Sequence, residues 1–169
     1  MDNPAHNESL LKLLEEHKGI LFKICNVYCK NEDDREDLAQ EIVYQLLKSY
    51  SRFTGNHKFS TWMYRVALNV AISFYRKART TSSLIKLVET EPEIEDRPDG
   101  TAELEKNIKC LQQFISELKE LDKALMILYL EERAYAEIAD ILGISETNVA
   151  TKISRIKDKL KQQFSTLNN

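Results

Sequence analysis

Residues 57–79, HKFSTWMYRVALNVAISFYRKAR, combine basic, amide and aromatic side chains in one stretch. On a helix turning about 100° per residue, one side is apolar: Met63, Ala67, Val70, Phe74 and Ala78. The other side carries donors, flanked by Trp62 and Ser73: Thr61, Arg65, Asn69, Arg76 and Arg79. Guanidinium groups bind phosphates, amides read base edges and rings stack on unpaired bases. The stretch therefore indicates nucleic-acid binding, although rings at helical spacing are also typical of a core.

A second pattern lies in AYAEIADILGISETNVATKISRIKDKLKQQF, residues 134–164. Two apolar periodicities flank Gly143, and Ser145 stands where a helix N-cap is expected. Helix, glycine turn and helix at this spacing predict a helix-turn-helix motif, whose second helix enters the major groove. The outer face of that helix presents side chains that bond bases and phosphates: Asn148, Thr151, Lys152 and Arg155.

Acidic residues open a third segment, NEDDREDLAQEIVYQLLKSY. Carboxylates near a helix N-terminus interact favourably with the helix dipole. The acids at 32–41 are therefore consistent with a simple helix start or with a surface that meets a basic partner.

The elements that position these residues are helices. The chain has 169 residues, 43% hydrophobic and 30% charged, with four Gly and three Pro. Few turn residues and no strictly alternating Val, Ile or Thr runs predict an all-α fold. The net charge of −3 conceals segregation: residues 84–105 hold eight acids against two bases, and residues 150–161 hold five bases against one acid.

Periodicity predicts a helix over 8–30, with Gly19 as a break, then the acidic helix. A loop, SRFTGNHK, follows, and then a third helix capped by Ser60 or Thr61. These three helices form a bundle. Residues 80–102 are polar, acidic and proline-containing and predict a flexible linker. A second helical domain then begins with a stripe: Leu104, Ile108, Leu111, Ile115 and Leu118.

The cysteines are Cys25, Cys29 and Cys110, an odd number without a CxxC pair. Buried thiols in a reducing cytosol are favoured over a metal site. No signal-peptide order opens the chain and no apolar run reaches a membrane span. We expect a cytoplasmic protein without metal, cofactor or small-molecule substrate.

The segment DREDLAQEIVYQLLKSYSRF…KFSTWMYRVALNVAISFYRKAR resembles region 2 of the bacterial sigma factors. LDKALMILYLEERAYAEIADILGISETNVATKISRIKDKL resembles their region 4. The short linker, with no third region between them, is similar to that of the extracytoplasmic-function (group four) sigma factors. The resemblance implies two small helical domains: region 2 at 1–79, an acidic flexible linker at 80–102, and region 4 at 103–169.

The resemblance implies a role for each surface. Core RNA polymerase would bind Asp37, Gln40 and Glu41. The −10 promoter element would be contacted, and its melted strand held, by Phe53, Phe59, Trp62, Arg65, Asn69, Arg76, Lys77 and Arg79, with Asn69 beside the flipped base. The −35 element would be read by Ser145, Asn148, Thr151, Lys152 and Arg155. Partners would be core polymerase, duplex and melted promoter DNA, and an anti-sigma factor, often at the membrane.

One position departs from the family. A basic residue often follows the Val of the recognition helix, and here Ala150 stands there. One phosphate or base contact would be missing, so the resemblance does not set the −35 preference.

Three alternatives remain open. A stand-alone helix-turn-helix regulator would explain the C-terminal pattern but leave residues 32–79 without a role. A DNA-acting enzyme such as a recombinase would need paired carboxylates or an activated Ser, and no such site is recognisable. A polymerase-binding adaptor that does not recognise promoters is the third.

Overall fold

In a computed structural model of the chain, residues 4–82 and 102–167 are described. The helices are α1 (Pro4–Glu16), α2 (Lys18–Tyr28), α3 (Glu32–Ser49), a 3₁₀ turn (Tyr50–Arg52), α4 (Phe59–Ser82), α5 (Ala102–Glu117), α6 (Glu120–Leu130), α7 (Tyr135–Leu142) and α8 (Glu146–Leu167). No strand occurs in these two ranges. The predicted all-α class is therefore confirmed.

Helices α1–α4 form the N-terminal unit, in which α2 and α3 pack on α4. Its core contains the apolar faces expected from periodicity: Ile24, Leu38, Ile42, Leu46, Met63 and Ala67. The N-cap of α3 is Asn31, whose Oδ1 accepts from the Asp34 N–H at 2.8 Å. The carboxylates Glu32 and Asp33 therefore lie in the first helical turn, where the dipole favours them.

Two helix boundaries differ from the predictions. The helix expected over 8–30 is divided at His17, not at Gly19. The His17 ring lies 5.1 Å from the Phe59 ring and its Nδ1 is 2.9 Å from the Leu13 carbonyl oxygen. The break therefore coincides with a tertiary ring contact and a side-chain contact of His17. The expected cap of α4 at Ser60 or Thr61 is also wrong, because α4 already begins at Phe59.

Helices α5–α8 form the C-terminal unit around α6. Every residue of α6 from Lys123 to Leu128 is buried, since other helices cover all of its sides. The apolar stripe predicted from Leu104 to Leu118 is only partly in the core. Leu118, which directly follows α5, is buried, whereas Leu104 and Ile108 are exposed. Phe114, which was not assigned to the stripe, is also buried. The N-terminal end of α5 therefore extends beyond the core.

The two units pack against each other. Helix α4 contacts α6 and α7, and α2 contacts α5 and α6. Buried apolar side chains of both units belong to one cluster. Helix α4 continues to Ser82 and α5 begins at Ala102, so both ends of the linker predicted at 80–102 are helical instead. Residues 83–101 of that linker lie outside the described residues.

Candidate nucleic-acid interface

The turn between α7 and α8 has the geometry that a helix-turn-helix needs. Gly143 has φ 68° and ψ 33°, a left-handed conformation that ends α7. The Asn148 N–H donates to Ser145 Oγ at 3.1 Å, so the predicted N-cap is confirmed. Buried Val149, Ile153 and Ile156 hold α8 against the unit. The cap and the buried face together fix which side of α8 points to solvent.

The outer face of α8 carries the predicted base-reading residues. Ser145, Asn148, Thr151 and Arg155 are exposed, and Lys152 is half-buried. The Thr151 hydroxyl donates to the Thr147 carbonyl oxygen at 3.0 Å, which leaves its methyl group and oxygen lone pairs for a ligand. The exposed side chains of this face are of the types that bond base edges and phosphates in a DNA major groove.

Four rings cluster where α4 begins. The Trp62 ring lies 5.2 Å from Phe53, 5.5 Å from Phe59 and 5.9 Å from Tyr50, measured between centroids. Phe59 is buried behind the cluster, whereas Phe53 and Trp62 are half-buried. Sequence reasoning missed Tyr50, whose only signal was an aromatic residue at the end of α3. The cluster offers ring faces and edges to solvent beside a row of donors.

A cavity of about 130 Å³ opens next to this cluster. Its lining combines aromatic, amide, hydroxyl and cationic groups: Arg52, Phe53, Thr54, Asn56, His57, Thr61, Trp62 and Arg65. Three predicted site residues, Phe53, Trp62 and Arg65, meet here. In the predicted loop only Phe53 was singled out, and Arg52, Asn56 and His57 were missed, because polar residues outside a regular helix have no periodicity that marks a site. An unstacked base would find both stacking surfaces and hydrogen-bonding groups in this cavity.

The remaining predicted residues of α4 extend away from the cavity. Asn69 is exposed one helical turn beyond Arg65 and does not line the cavity. Arg76 and Lys77 are exposed two further turns along. The Arg79 side chain lies outside the described residues. The exposed groups form a track along α4 that leads away from the cavity, as phosphate contacts would.

Two donors at the cavity are paired with the C-terminal unit. The Thr61 hydroxyl donates to Glu137 Oε1 at 2.8 Å, and Arg65 Nη2 lies 2.8 Å from Asp140 Oδ2. Thr61, expected on an exposed face, is therefore buried. Burial acts to raise the pKa of Glu137, but hydrogen bonds from Thr61 and Arg133 hold that pKa below its ordinary value. Glu137 is thus an anionic partner at neutral pH.

The outer face of α3 forms a separate polar and apolar surface. Asp37, Gln40 and Glu41, the residues that the family resemblance implied for polymerase binding, are exposed on it. The surface continues one turn further with Tyr44, whose exposed fraction is 57%. Acidic groups beside an exposed ring are suited to a basic helical partner.

The cysteines and acids do not assemble a metal site in the described ranges. Cys25 and Cys29 are buried thiols, and burial raises their pKa to about 11 and about 12. Within residues 4–82 and 102–167, no three His, Cys, Asp or Glu side chains lie close enough together to hold a metal ion. Nor does any helix there combine the length and apolarity needed to cross a membrane.

A capped helix-turn-helix next to a helix with rings and cations defines a helical DNA-binding protein with two contact surfaces. The Sigma-70 region 2 family matches residues 13–81, and the Sigma-70 region 4 family matches residues 108–160. The chain therefore belongs to the sigma factors of RNA polymerase, in the extracytoplasmic-function group. It directs promoter-specific transcription initiation, and the stand-alone regulator is not favoured.

Individual relatives agree with this assignment. The chain is 27% identical to the extracytoplasmic-function RNA polymerase sigma factor SigW of Bacillus subtilis, over 95% of this chain and 91% of that protein. It is 27% identical to the RNA polymerase sigma factor SigV of the same organism, over 92% of this chain and 90% of that protein.

Solved structures share the fold. RpoE from Bartonella quintana, in complex with the anti-sigma factor NepR, matches with a TM-score of 0.68 and 17% identity, over 94% of this chain and 98% of that chain. CnrH in complex with the cytosolic domain of CnrY matches with a TM-score of 0.66 and 19% identity, over 95% of this chain and 90% of that chain.

Proposed function

We propose that the N-terminal unit holds the melted −10 element while α8 reads the −35 element. The observation that carries this assignment is the cavity at the start of α4, which combines Trp62 and Phe53 with Arg65, Asn56 and His57. A base that leaves the stack needs an aromatic surface and hydrogen-bonding partners, and both are present there. Asn69 lies one turn beyond Arg65, outside the cavity lining, and in this proposal it contacts the flipped base from the edge of the cavity. Arg76, Lys77 and Arg79 continue the contact along α4.

In this proposal the exposed face of α3 binds core polymerase through Asp37, Gln40 and Glu41. Carboxylates there complement a basic partner, and Tyr44 adds apolar area at the same surface. Residues 1–79 and 103–169 act as the two domains, and residues 80–102 connect them. The chain performs no catalysis of its own, and it acts in the cytoplasm, where polymerase and DNA are found.

An anti-sigma factor is a further proposed partner. RpoE was solved with an anti-sigma factor bound and CnrH with the cytosolic domain of CnrY, and both share the fold of this chain. The support is the likeness in fold over nearly the whole chain.

The test is run-off transcription by purified bacterial core polymerase over a library of randomised promoters, with and without this protein. Transcripts that depend on the protein and share −10 and −35 sequences support the proposal. Core binding without any selected promoter would instead favour the adaptor, and a footprint without polymerase would favour the stand-alone regulator.

Variants in the same assay test each surface. Arg155→Ala should reduce selection at one −35 position about tenfold, since a good side chain–base pair contributes about 1–3 kcal/mol of discrimination. Lys106→Ala, which removes an exposed cation from α5, is the matched control. Equal use of intact and scrambled −35 sequences by the unmodified protein would contradict the α8 assignment.

The base-holding cavity is tested by two asparagines. Asn56→Ala, in the cavity lining, should relax selection at one non-template base, and Asn69→Ala should alter the selectivity of the same or the adjoining base. Asn107→Ala, exposed on α5, is the control and should leave selection unchanged. Unaltered selectivity in both the Asn56 and Asn69 variants would contradict the −10 assignment.

A further inference from the structure

Helix α7 bonds two residues of the cavity lining, although none of its own residues lines the cavity. Glu137 and Asp140 lie three residues apart on α7, so they share one side of that helix. They engage Thr61 and Arg65, which lie four residues apart on α4 and both line the cavity. Asp140 also accepts from Arg65 through its backbone carbonyl oxygen at 3.3 Å. Two donors that a nucleic acid would need are therefore occupied by carboxylates of the same chain.

Two further ion pairs between the units have the same polarity. Arg76 Nε lies 2.9 Å from Glu120 Oε1, and Lys23 pairs with Glu131. In each of these pairs, and in Arg65–Asp140, the N-terminal unit supplies the cation and the C-terminal unit the anion. Carboxylate and phosphate oxygens bind guanidinium groups with similar geometry. The C-terminal unit thus presents anions to residues that the proposed function assigns to DNA.

The polar part of the contact between the two units is weak enough to let the units separate. Arg65 and Asp140 keep 39% and 52% of their side-chain surface exposed, so water and salt weaken their attraction. The Tyr64 hydroxyl is buried in α4 and has no hydrogen-bond partner among the described residues. The Arg133 guanidinium of the C-terminal unit lies 5.2 Å from the Tyr64 ring, so separation of the units would remove one of the groups that cover this residue.

The recognition face of α8 is not covered in the same arrangement. Asn148, Thr151 and Arg155 are all exposed. Closure therefore affects the two DNA-contacting surfaces differently: the cavity on α4 loses donors, whereas the helix-turn-helix keeps its own.

We propose that Glu137 and Asp140 of α7 hold the free chain in a self-masked state, in which they occupy the α4 donors that the melted promoter strand requires. The inference rests on the proposed −10 role of α4. The masked state leaves the −35 face available and must open before a separated strand can enter the cavity. Only open molecules can bind a separated strand, so closure lowers the apparent affinity of the free chain for single-stranded DNA.

The experiment compares the full-length wild type with Glu137→Gln/Asp140→Asn, which keeps side-chain shape and removes two negative charges. The control is Glu103→Gln/Glu105→Gln on α5, which changes net charge equally away from the contact. The probe is a fluorescent pool of random single-stranded 20-mers, and binding is followed by anisotropy. We expect the α7 variant to bind about fivefold more tightly than the wild type, as loss of one partly exposed ion pair and one hydrogen bond to a carboxylate would allow. The control should change by less than about twofold.

Hydrogen exchange of residues 59–68 provides a second readout on the same proteins. We expect faster exchange in the α7 variant than in the control. Asp140→Lys, which opposes Arg65 with a like charge, should show the same two effects. Equal affinity and equal exchange in the α7 variants and the control would overturn the proposal.

A further substitution separates this proposal from the −10 assignment. Arg65→Ala in the Glu137→Gln/Asp140→Asn background should abolish the gain in binding. If the gain persists while exchange at 59–68 is still faster, α7 covers α4 but the strand binds elsewhere, and the −10 assignment and the masking role both fail. If Arg65→Ala weakens promoter opening by the assembled holoenzyme but the α7 variants match the control, only the masking proposal fails.

Discussion

Lys123 is a buried cation at the junction of the two units. Its Nζ donates to the Ser116 carbonyl oxygen at 2.9 Å and lies 3.5 Å from that of Val27. The Tyr75 ring centroid is 5.0 Å from the same nitrogen. Burial, aided by the charge of Lys30, lowers the pKa of Lys123 to about 8. The carbonyl oxygens of two helices compensate for only part of the lost hydration.

This shift predicts a pH dependence of stability. The unfolded chain binds the Lys123 proton up to about pH 10.5, whereas the folded chain releases it near pH 8. Burial of the charge therefore costs stability in full below about pH 8, and that cost is relieved as the pH rises from about 8 to 10.5. We expect the unfolding free energy of the wild type, minus that of Lys123→Met, to increase over this window in urea titrations.

The difference between variants is needed because other groups act oppositely. The unfolded thiols ionise near pH 9, but burial keeps Cys25 and Cys29 neutral to about 11 and about 12. The stability that the neutral thiols contribute is therefore lost above pH 9 in the wild type and in Lys123→Met alike. This loss largely cancels in the difference between their unfolding free energies. Lys106→Met, on the exposed side of α5, should give a curve parallel to that of the wild type. A parallel curve for Lys123→Met would contradict the assigned pKa.

At the scale of elements, two glycines have opposite conformational roles. Gly143 has φ 68° at the end of α7, and an added Cβ would meet no atom within 4 Å, so only backbone strain opposes a side chain there. Gly19 lies inside α2, where an added Cβ is equally unhindered. Glycine is needed at the first position and weakens the helix at the second.

We expect Gly143→Ala to destabilise the protein by about 1 kcal/mol and Gly19→Ala to stabilise it by about 0.5–1 kcal/mol. The physical reason is the left-handed backbone at Gly143 and the lower helix propensity of glycine at Gly19. Urea unfolding followed by circular dichroism measures both. A shift of the same sign for the two variants would show that the turn does not require a left-handed residue.

Elements were predictable where periodicity and capping agree, as in α8, where Ser145 and the apolar spacing were both assigned from sequence. The division of α1 from α2 was not, because it coincides with a tertiary contact of His17 with Phe59, residues that are 42 positions apart in the sequence. The exposed end of α5 was missed for a related reason. A helical stripe shows which residues share a face but not how far along the helix a neighbour covers it.

At the scale of the whole molecule, the two units are held by a contact with both apolar and ionic parts. The cluster of buried side chains is continuous between them, and ion pairs among the described residues, including Lys23–Glu131, Arg65–Asp140 and Arg76–Glu120, join the two units. Exposed ion pairs are each worth up to about 1 kcal/mol and are screened by salt. The balance between closed and open arrangements is therefore sensitive to ionic strength.

We expect small-angle scattering of the free chain at low salt to give a radius of gyration near the value of about 15 Å for a compact chain of this length. Salt at about 0.5 M should increase that radius, because the Debye length falls below about 5 Å. Glu137→Gln/Asp140→Asn should give the larger radius already at low salt, and Glu103→Gln/Glu105→Gln should not. A radius insensitive to salt and to both substitutions would show that apolar packing alone holds the units together.

The sequence by itself determined the helical class, the helix-turn-helix with its cap, and which residues of α4 and α8 share a polar face. These properties follow from local rules: a helix repeats every 3.6 residues, and a cap bonds within one turn. Only the tertiary structure decided that Thr61 is buried, that Arg65 meets Asp140 across 75 positions, and that loop residues Arg52, Asn56 and His57 complete a cavity. The physical reason is that pairing between distant polar groups depends on how whole helices pack. Such pairing leaves no periodic signal in the chain.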